Sequence, residues 1–556
     1  MNNFPNITEE WLNTPNNLLG EKLLAGYTDP KSIQERLLTE ILQSASHCEI
    51  GKKFDFNSIH TIQEFQQRMP LTDWYDVEPY SDKMVEGAED LLFPGRTLQF
   101  VKTSGTTGKD KLIPESHMSN IARALIQKLR LAQCMQAVPS LGGLLQNPKT
   151  AGKCLLPLTN APVWSKTPSG IPCVSASGLT IGQTGMDHLM AFPLFILLNS
   201  NETARDYMIM RFAIESPDIR IIAGNNAGRL TSLVRMAQSN QEALLNDIEQ
   251  GTIYLMDQVD PDIQNQLTDW LKPNPERAKT LRTLLKEGKP FTPVTYWSDL
   301  QLGLFWLSAS VGRYVEELRP YLPSTTRLMD VGYGASEAKF NIPLIPEDPA
   351  GALSLATSFY EFIPIDCDTK EMTPLLCHEL EIGKQYELIV TTWGGLYRYQ
   401  MKDVVEVTGF IGRTPKIVFV TKSCEVLNLC GEKFYPDVVT APIREALQEL
   451  GLKLRQIQIY PDATQHRYFC YVEPIESEVS TDNSTLTARA HALFLEQSHR
   501  YEMNLIQGIL NPIEVRIMKK GWQESLYADR LKPGMNISQI KLPIVINKPV
   551  EETWMR

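Results

Sequence analysis

A short stretch near residue 100 has the composition of a phosphate-binding loop. Residues 103–111 combine hydroxyl side chains with two glycines and two lysines. Glycines let backbone amides approach a ligand, and lysines neutralise anionic oxygens, so a bound polyphosphate is one interpretation and a solvated polar turn is the other. The pattern is not a Walker A loop, because Gly105 and Gly108 enclose two residues rather than four, and Asp110 follows Lys109.

A second group of chemically useful side chains lies at residues 333–337. Tyr333, Gly334, Ser336 and Glu337 provide an aromatic ring, flexible backbone, a hydroxyl and a carboxylate. The ring could stack on a nucleobase, and the carboxylate could hold Mg²⁺ near phosphates. A simple turn at a strand end is the alternative.

A third group follows a strand predicted at residues 386–392. The strand leads into Gly394 and Gly395, and Arg398 and Asp403 come shortly after. A carboxylate beside a glycine turn at a strand end is well placed to accept hydrogen bonds from ribose hydroxyls. Alternatively, Arg398 and Asp403 form a local ion pair.

The surrounding segments predict an α/β fold with a largely parallel sheet, because strands alternate with helices. The helix at 28–46 is predicted to begin with a capping box of Ser32 and Glu35. Other predicted elements are strands at 98–101 and 219–223 and helices at 121–135 and 230–236.

The length of 556 residues predicts two or more domains. A change of composition after a strand predicted at 415–421 places the boundary near Thr421 and gives domains 1–421 and 422–556. The second domain is predicted to contain paired strands at 454–460 and 467–472, a long helix at 485–507 and a strand at 513–518.

The charge balance argues against a nucleic-acid-binding surface as the main function. The chain has 54 Lys and Arg against 65 Asp and Glu, a net charge of −11. An anionic substrate must then be held by a local cluster of lysines.

The cysteines and apolar runs predict a cytoplasmic protein without membrane association. Nine cysteines occur without a Cys-x-x-Cys pair, which argues against a zinc ribbon or a redox dithiol. An odd count without a signal peptide is typical of a reducing cytoplasm. The longest apolar run, 189–198, contains Pro193 and is too short to span a bilayer.

The order and spacing of the three groups resemble those of acyl-adenylate-forming enzymes. Residues 103–111 look like their phosphate loop, residues 333–337 like their aromatic–glycine–hydroxyl–glutamate motif, and residues 397–403 like their ribose-binding aspartate motif. Within that superfamily the chain is most similar to the plant auxin-responsive acyl-acid amido synthetases (the Gretchen Hagen family) and their bacterial relatives. The likeness covers residues 30–548, and its most specific stretches are 70–73, 360–362, 395–399, 404–410 and 534–543.

This resemblance implies a fold and a division of labour. Domain 1–421 would be a large adenylate-forming domain, with β-sheets flanked by helices, that binds ATP and the acyl acid. Domain 422–556 would be a small, mobile α+β domain that rotates about residues 421–423 between half-reactions.

The resemblance also implies a role for each matching residue. Tyr333 would stack on adenine, Ser336 would lie beside the acyl phosphate, and Asp403 would hold the ribose hydroxyls. Glu337 would bind Mg²⁺, and Lys541 would contact the acyl carboxylate and the α-phosphate. The residues that would hold the ATP phosphates are Ser104, Gly105, Thr106, Thr107 and Lys111. Further nucleotide-binding candidates are Gly334, Phe419 and Lys433.

Two departures from the family pattern affect these assignments. Lys402 stands where the family usually has glycine before the aspartate, so we expect a different backbone angle or loop path there. The segment 428–433 replaces an Asp-rich spacing with Cys430, Gly431 and Glu432, which puts the role of Lys433 in doubt.

Three functions follow from this reading. The first is an ATP- and Mg²⁺-dependent, monomeric amide synthetase that joins a small carboxylic acid to an amino acid. The second is a CoA or carrier-protein ligase, and the third is a non-catalytic nucleotide-binding protein. Retention of Lys111, Glu337, Asp403 and Lys541 argues against the third.

The sequence gives only weak signals for the acyl pocket and for the base of the transfer step. The aromatic residues Tyr296, Trp297, Phe305 and Trp306 are one candidate wall, although a core role is favoured for most of them. Residues 220–229 are another candidate wall. His117 is a possible base, but a capping or core role is preferred.

Overall fold

The structure is a computed structural model in which the chain divides into two compact units, Met1–Val420 and Thr421–Arg556. The residues that it describes are 5–102, 111–141, 154–158, 163–176, 189–308, 313–365, 373–422, 427, 429, 434, 436–476, 481–506, 508, 510–530 and 542–556.

The first unit contains most of the described helices. Its described α-helices are α1 Ile7–Leu12, α2 Asn16–Thr28, α3 Pro30–Ala45, α4 Glu49–Lys53, α5 Ile62–Arg68, α6 Trp74–Val85, α7 His117–Ala137, α8 Glu202–Glu215, α9 Ala227–Ser239, α10 Gln241–Gln250, α11 Pro261–Leu267, α12 Pro275–Lys286, α13 Pro293–Tyr296 and α14 Arg313–Leu318. Short 3-10 helices lie at Phe56–Ser58, Leu194–Leu198, Met256–Gln258, Arg319–Tyr321 and Cys377–Glu379.

Local side-chain caps set the starts of these helices. Asp29 caps α3 by accepting a hydrogen bond from the Ser32 amide at 3.3 Å, and Pro30 occupies the first helical position. The predicted capping box of Ser32 and Glu35 is therefore wrong. The Ser116 hydroxyl caps α7. The helix predicted at 121–135 is confirmed, and α7 extends beyond those residues at both ends.

The strands of the first unit form three sheets. Their bounds are β1 Gln99–Lys102, β2 Leu112–Glu115, β3 Leu155–Leu158, β4 Val163–Lys166, β5 Pro172–Val174, β6 Ile221–Gly224, β7 Leu302–Phe305, β8 Arg327–Asp330, β9 Asn341–Pro343, β10 Gly351–Leu353, β11 Ser358–Pro364, β12 Leu375–Leu376, β13 Gln385–Thr392, β14 Tyr399–Ile411 and β15 Thr414–Lys422.

The prediction of a largely parallel sheet holds for only one of these sheets. The order β3-β6-β7-β8 is parallel throughout, and helices connect its successive strands. The seven-stranded sheet has the order β12-β11-β13-β14-β15-β10-β9. Its strands run antiparallel from β12 to β14 and again from β15 to β9. The connections from β13 to β14 and from β14 to β15 are too short for a parallel crossover, so those strands must run antiparallel. The third sheet has the order β2-β1-β5-β4.

Two apolar cores support these sheets. One packs α1 to α7 against the seven-stranded sheet, and the other packs the helices between residues 202 and 318 against the parallel sheet. Tyr296, Trp297 and Phe305 are buried in the second core, and the Trp297 indole donates to the Ala213 carbonyl at 2.8 Å. The core role preferred for most of the aromatic residues near 300 is confirmed.

The second unit has its own sheet and core. Its described elements are α15 Pro436–Glu449, β16 Leu454–Asp462, β17 Arg467–Pro474, α16 Asn483–Gln497, α17 His499–Ile506, β18 Glu514–Ile517, α18 Trp522–Ala528 and a 3-10 helix at Glu552–Trp554. β16 and β17 pair, as predicted, and run antiparallel, and β18 joins β17 in parallel. The predicted long helix is wrong in one respect, because extended backbone at Ser498 divides it into α16 and α17.

None of the helices in the described part of the chain is long and apolar enough to cross a bilayer.

Candidate functional site

The turn after β8 carries the second predicted group and is fixed by buried polar contacts. The Asp330 carboxylate accepts hydrogen bonds from the Leu307 amide at 2.8 Å and the Gly332 amide at 2.6 Å, and burial raises the pKa of Asp330 to about 6. Gly332 has φ of +84°, and a Cβ there would overlap the Arg130 guanidinium. Only glycine therefore fits at this point of the turn.

Arg130 and Asn341 hold the same turn from two sides. Arg130 donates to the Asn341 carbonyl at 2.8 Å and to the Tyr333 carbonyl at 3.3 Å, while the Asn341 side chain accepts from the Tyr333 amide at 2.7 Å. The Asn341 amide group also donates to the Ile417 carbonyl at 2.9 Å. Sequence reasoning missed both residues, because a buried arginine on an amphipathic helix has no local signature.

Tyr333, Phe419 and Asp403 meet in this turn. The Tyr333 ring stacks on Phe419, with centroids 5.4 Å apart, and contacts Phe340 at 5.0 Å. The Tyr333 hydroxyl donates to the Asp403 carboxylate at 2.7 Å. Burial, followed by the charge of Asp403, raises the pKa of Tyr333 well above its ordinary value, so the hydroxyl remains a donor.

Asp403 lies in an irregular part of β14. The pairing with β13 shifts between Glu387, which faces Val404, and Ile389, which faces Gln400. Residues 401–403 therefore lie opposite a single residue of β13, which is an irregular bulge with two extra residues in β14.

Lys402, within this bulge, adopts φ of +55°. This is the left-handed region that favours glycine, which is the residue that the family usually has at this position. The Lys402 ammonium lies 3.2 Å from the Glu387 carboxylate.

The alternative pairing of Arg398 with Asp403 is wrong. The Arg398 guanidinium pairs instead with Glu361, at 2.9 Å, and both side chains are almost fully buried. Its remaining nitrogen donates to the carbonyls of Gln66 and Met69, each at 2.7 Å. Arg398 thus anchors the end of α5 to the strand that carries Asp403.

The segment before α6 joins the same strand. The Thr72 amide donates to the Arg398 carbonyl at 3.0 Å, the Gln400 amide donates to the Thr72 carbonyl at 2.9 Å, and the Thr72 hydroxyl donates to the Tyr397 carbonyl at 2.7 Å. Residues 70–73, which matched the family pattern, are therefore bonded directly to the predicted ribose motif.

Glu337 lines a small cleft. Glu337 is half-buried and lines this cleft together with Lys339, Thr392 and Trp393. Arg123 donates to the Ser336 carbonyl at 2.6 Å and forms a buried ion pair with Glu115.

The charges of three carboxylates act on the buried Tyr399 hydroxyl. Burial is the main cause of its raised pKa, and the negative charges of Glu337, Asp73 and Asp403 raise the pKa further. The predicted magnesium ligand, the predicted ribose ligand and Asp73, which caps α6, therefore influence the same side chain.

Lys111 is the described residue that directly follows the glycine-rich segment. Its ammonium lies over the indole ring of Trp74, 5.6 Å from the ring centroid. Six other predicted residues lie outside the described part of the chain: Ser104, Gly105, Thr106, Thr107, Lys433 and Lys541.

His117 does not have the role preferred for it. It is the exposed first residue of α7, and Ser116 supplies the cap. The preferred capping or core role is therefore wrong.

Another set of metal-type ligands is His47, Cys48 and Asp90. Burial raises the pKa of the Cys48 thiol to about 11, so it keeps its proton at neutral pH. Mg²⁺ prefers oxygen ligands, and Glu337 suits it better than this set does.

Comparison with known proteins identifies the family of the chain. Three family models match in order: the GH3 family N-terminal domain over residues 21–327, its central domain over 351–422 and its C-terminal domain over 437–550. The 4-substituted benzoates-glutamate ligase GH3.12 of Arabidopsis thaliana is 26% identical, with 94% of each chain covered. The indole-3-acetic acid-amido synthetase GH3.8 of Oryza sativa subsp. indica is 24% identical, over 94% of this chain and 89% of the relative.

Among solved structures, the GH3.15 acyl acid amido synthetase has the same fold. The TM-score is 0.78 and the identity 21%, with 96% of this chain and 94% of that chain covered. With all three domain models matched in sequence order, the chain belongs to the GH3 family.

Proposed function

We propose that this protein is an ATP-dependent acyl-acid amido synthetase. It adenylates a small carboxylic acid, releasing pyrophosphate, and transfers the acyl group to the amine of an amino acid, releasing AMP. Membership of the GH3 family and relatives of this kind that match nearly the whole chain support the activity. The observation that carries the proposal is the contact of Tyr333 with both Asp403 and Phe419, which unites two distant nucleotide motifs.

The nucleotide would lie against this contact. Asp403 accepts hydrogen bonds from the ribose hydroxyls, and Tyr333 and Phe419 provide the aromatic surface for the base. Lys111 and the loop of Ser104, Gly105, Thr106 and Thr107 hold the phosphates, and Gly334, Ser336 and Lys433 complete the site.

Glu337 has the properties of a magnesium ligand. It is a half-buried carboxylate at a cleft, and Mg²⁺ is commonly held by one or two carboxylates together with substrate phosphates. When bound, Mg²⁺ supplies charge neutralisation to the phosphate oxygens.

The chemistry needs no protein nucleophile. An oxygen of the substrate carboxylate attacks the α-phosphorus, a new P–O bond forms, and the bond to pyrophosphate breaks. Lys111 and Lys541 stabilise the added negative charge. The amine nitrogen then attacks the acyl carbon and forms a C–N bond, the C–O bond to AMP breaks, and the nitrogen releases its proton to solvent.

The domain roles belong to the same proposal. Residues 1–421 bind ATP and the acid, and residues 422–556 move about residues 421–423 to bring Lys541 to the site. We also propose that the enzyme is a cytoplasmic monomer.

An ATP–pyrophosphate exchange screen over a panel of carboxylic acids tests the activity, followed by identification of the product formed with amino acids or CoA. Acid-dependent exchange and an amide product are expected. A thioester as the sole product would make the protein an acyl-CoA ligase, and no exchange with any acid would make it a non-catalytic nucleotide-binding protein. Lys541→Ala should abolish exchange while ATP still binds.

A further inference from the structure

The indole of Trp74 lies directly against the side chain of Lys111. We propose that Trp74 is a positioning residue for Lys111 and holds its ammonium beside the phosphate-binding segment. This inference rests on the proposed function, since it takes Lys111 to act on ATP. It is carried by the 5.6 Å separation between the lysine Nζ and the ring centroid.

The backbone of Trp74 is held in place by a capping box. Asp73 accepts a hydrogen bond from the Tyr75 amide at 2.8 Å, and Asp76 accepts one from the Asp73 amide at 2.9 Å. Trp74 is the first residue of α6, so the capping box fixes the backbone position from which its side chain extends. The indole is half-buried and packs against the first core, which fixes the ring as well.

Residues next to Trp74 and Lys111 are hydrogen-bonded to neighbouring parts of the structure. Two residues before Trp74, Thr72 is hydrogen-bonded to the strand that carries Asp403. Further along α6, the Ser81 hydroxyl donates at 2.7 Å to the carbonyl of Leu112, the residue after Lys111. The ring and the lysine backbone therefore share one rigid support.

A lysine needs such a support because its four-carbon side chain is flexible. Lysine loses rotamer entropy when its ammonium is fixed. Tryptophan is the aromatic residue that attracts a cation most strongly, so it restricts the ammonium before the nucleotide arrives. Part of the ordering of the Lys111 side chain is then complete in the free enzyme, and this increases the affinity for ATP.

A double-mutant cycle on the full-length protein tests the proposal, with the dissociation constant for Mg·ATP measured by calorimetry. Trp74→Leu should weaken binding about 2- to 5-fold, which is the range of an exposed cation–π contact. Trp74→Phe keeps an aromatic face and should weaken binding less. In a Lys111→Met background, Trp74→Leu should have no further effect.

Trp270→Leu is the matched control, because it removes another partly exposed indole, one that packs against Phe195. It should leave the dissociation constant unchanged. Equal effects of Trp74→Leu with and without Lys111, or no effect at all, would overturn the inference while leaving the proposed function intact. Normal Mg·ATP binding by Lys111→Met alone would instead remove the role given to Lys111 in that function, and the inference with it.

Discussion

Replacing Asp403 with asparagine tests the ribose site, because it removes the charge and keeps the shape. Asp403 is 3% exposed, so its hydrogen bonds are shielded from water. A hydrogen bond to a charged group contributes about 1.5–3 kcal/mol. Since each 1.4 kcal/mol is about tenfold in affinity, losing the charge at one ribose bond should weaken ATP binding by about 10- to 100-fold.

The assay compares ATP with 2′,3′-dideoxyATP in calorimetric titrations. The wild-type protein should prefer ATP, and Asp403→Asn should lose most of that preference. Tyr333→Phe is the matched control, because it removes the hydrogen bond to Asp403 but keeps both the ring and the carboxylate. It should change ATP binding by less than about threefold. An Asp403→Asn protein that still distinguishes the two nucleotides as the wild type does would refute the ribose assignment.

Three further predictions concern the scaffold of the site. Arg398→Met leaves the buried Glu361 charge unpaired and should lower the free energy of unfolding by about 3–5 kcal/mol in urea titrations, with partial recovery in the double variant carrying Glu361→Gln. Lys402→Gly relieves a left-handed backbone conformation that costs about 1–2 kcal/mol, but it adds about 0.5–1 kcal/mol of conformational entropy to the unfolded chain. The melting temperature should therefore stay equal or rise. A clear fall would show that Lys402 is not strained. Burial raises the pKa of Asp330 from 3.8 to about 6, so the folded state binds more protons than the unfolded chain between those pH values. The free energy of unfolding should therefore fall as the pH rises through that window. Asp330→Asn should flatten this slope in urea titrations at a series of pH values.

Local sequence signals predicted much of the fold. The bounds of helix α7 agree with the prediction within four residues, and those of strands β13 and β15 within one residue, because apolar periodicity and strand composition are local properties. The start of α3 was misplaced, since Asp29 and Ser32 both have capping side chains and only the backbone shows which one caps.

The partners of the site residues were not predictable in this way. Arg398 had a carboxylate five residues away in sequence, yet it pairs with Glu361, which lies on β11 and enters the same sheet two strands away. Thr72 meets Arg398 from more than 300 residues away. Such contacts depend on strand order, which short motifs do not encode.

The junction of two sheets explains why each motif is weak alone. Tyr333 follows the last strand of the parallel sheet, whereas Asp403 and Phe419 lie on adjacent strands of the antiparallel sheet. The hydrogen bond and the ring stacking between them therefore join the two sheets. A nucleotide that contacts all three side chains would bind only when the sheets hold this relative position, so ATP should stabilise the first unit as a whole. The irregular bulge at residues 401–403 belongs to the same requirement, because a regular strand would shift the register after Gln400 and carry Asp403 away from Tyr333.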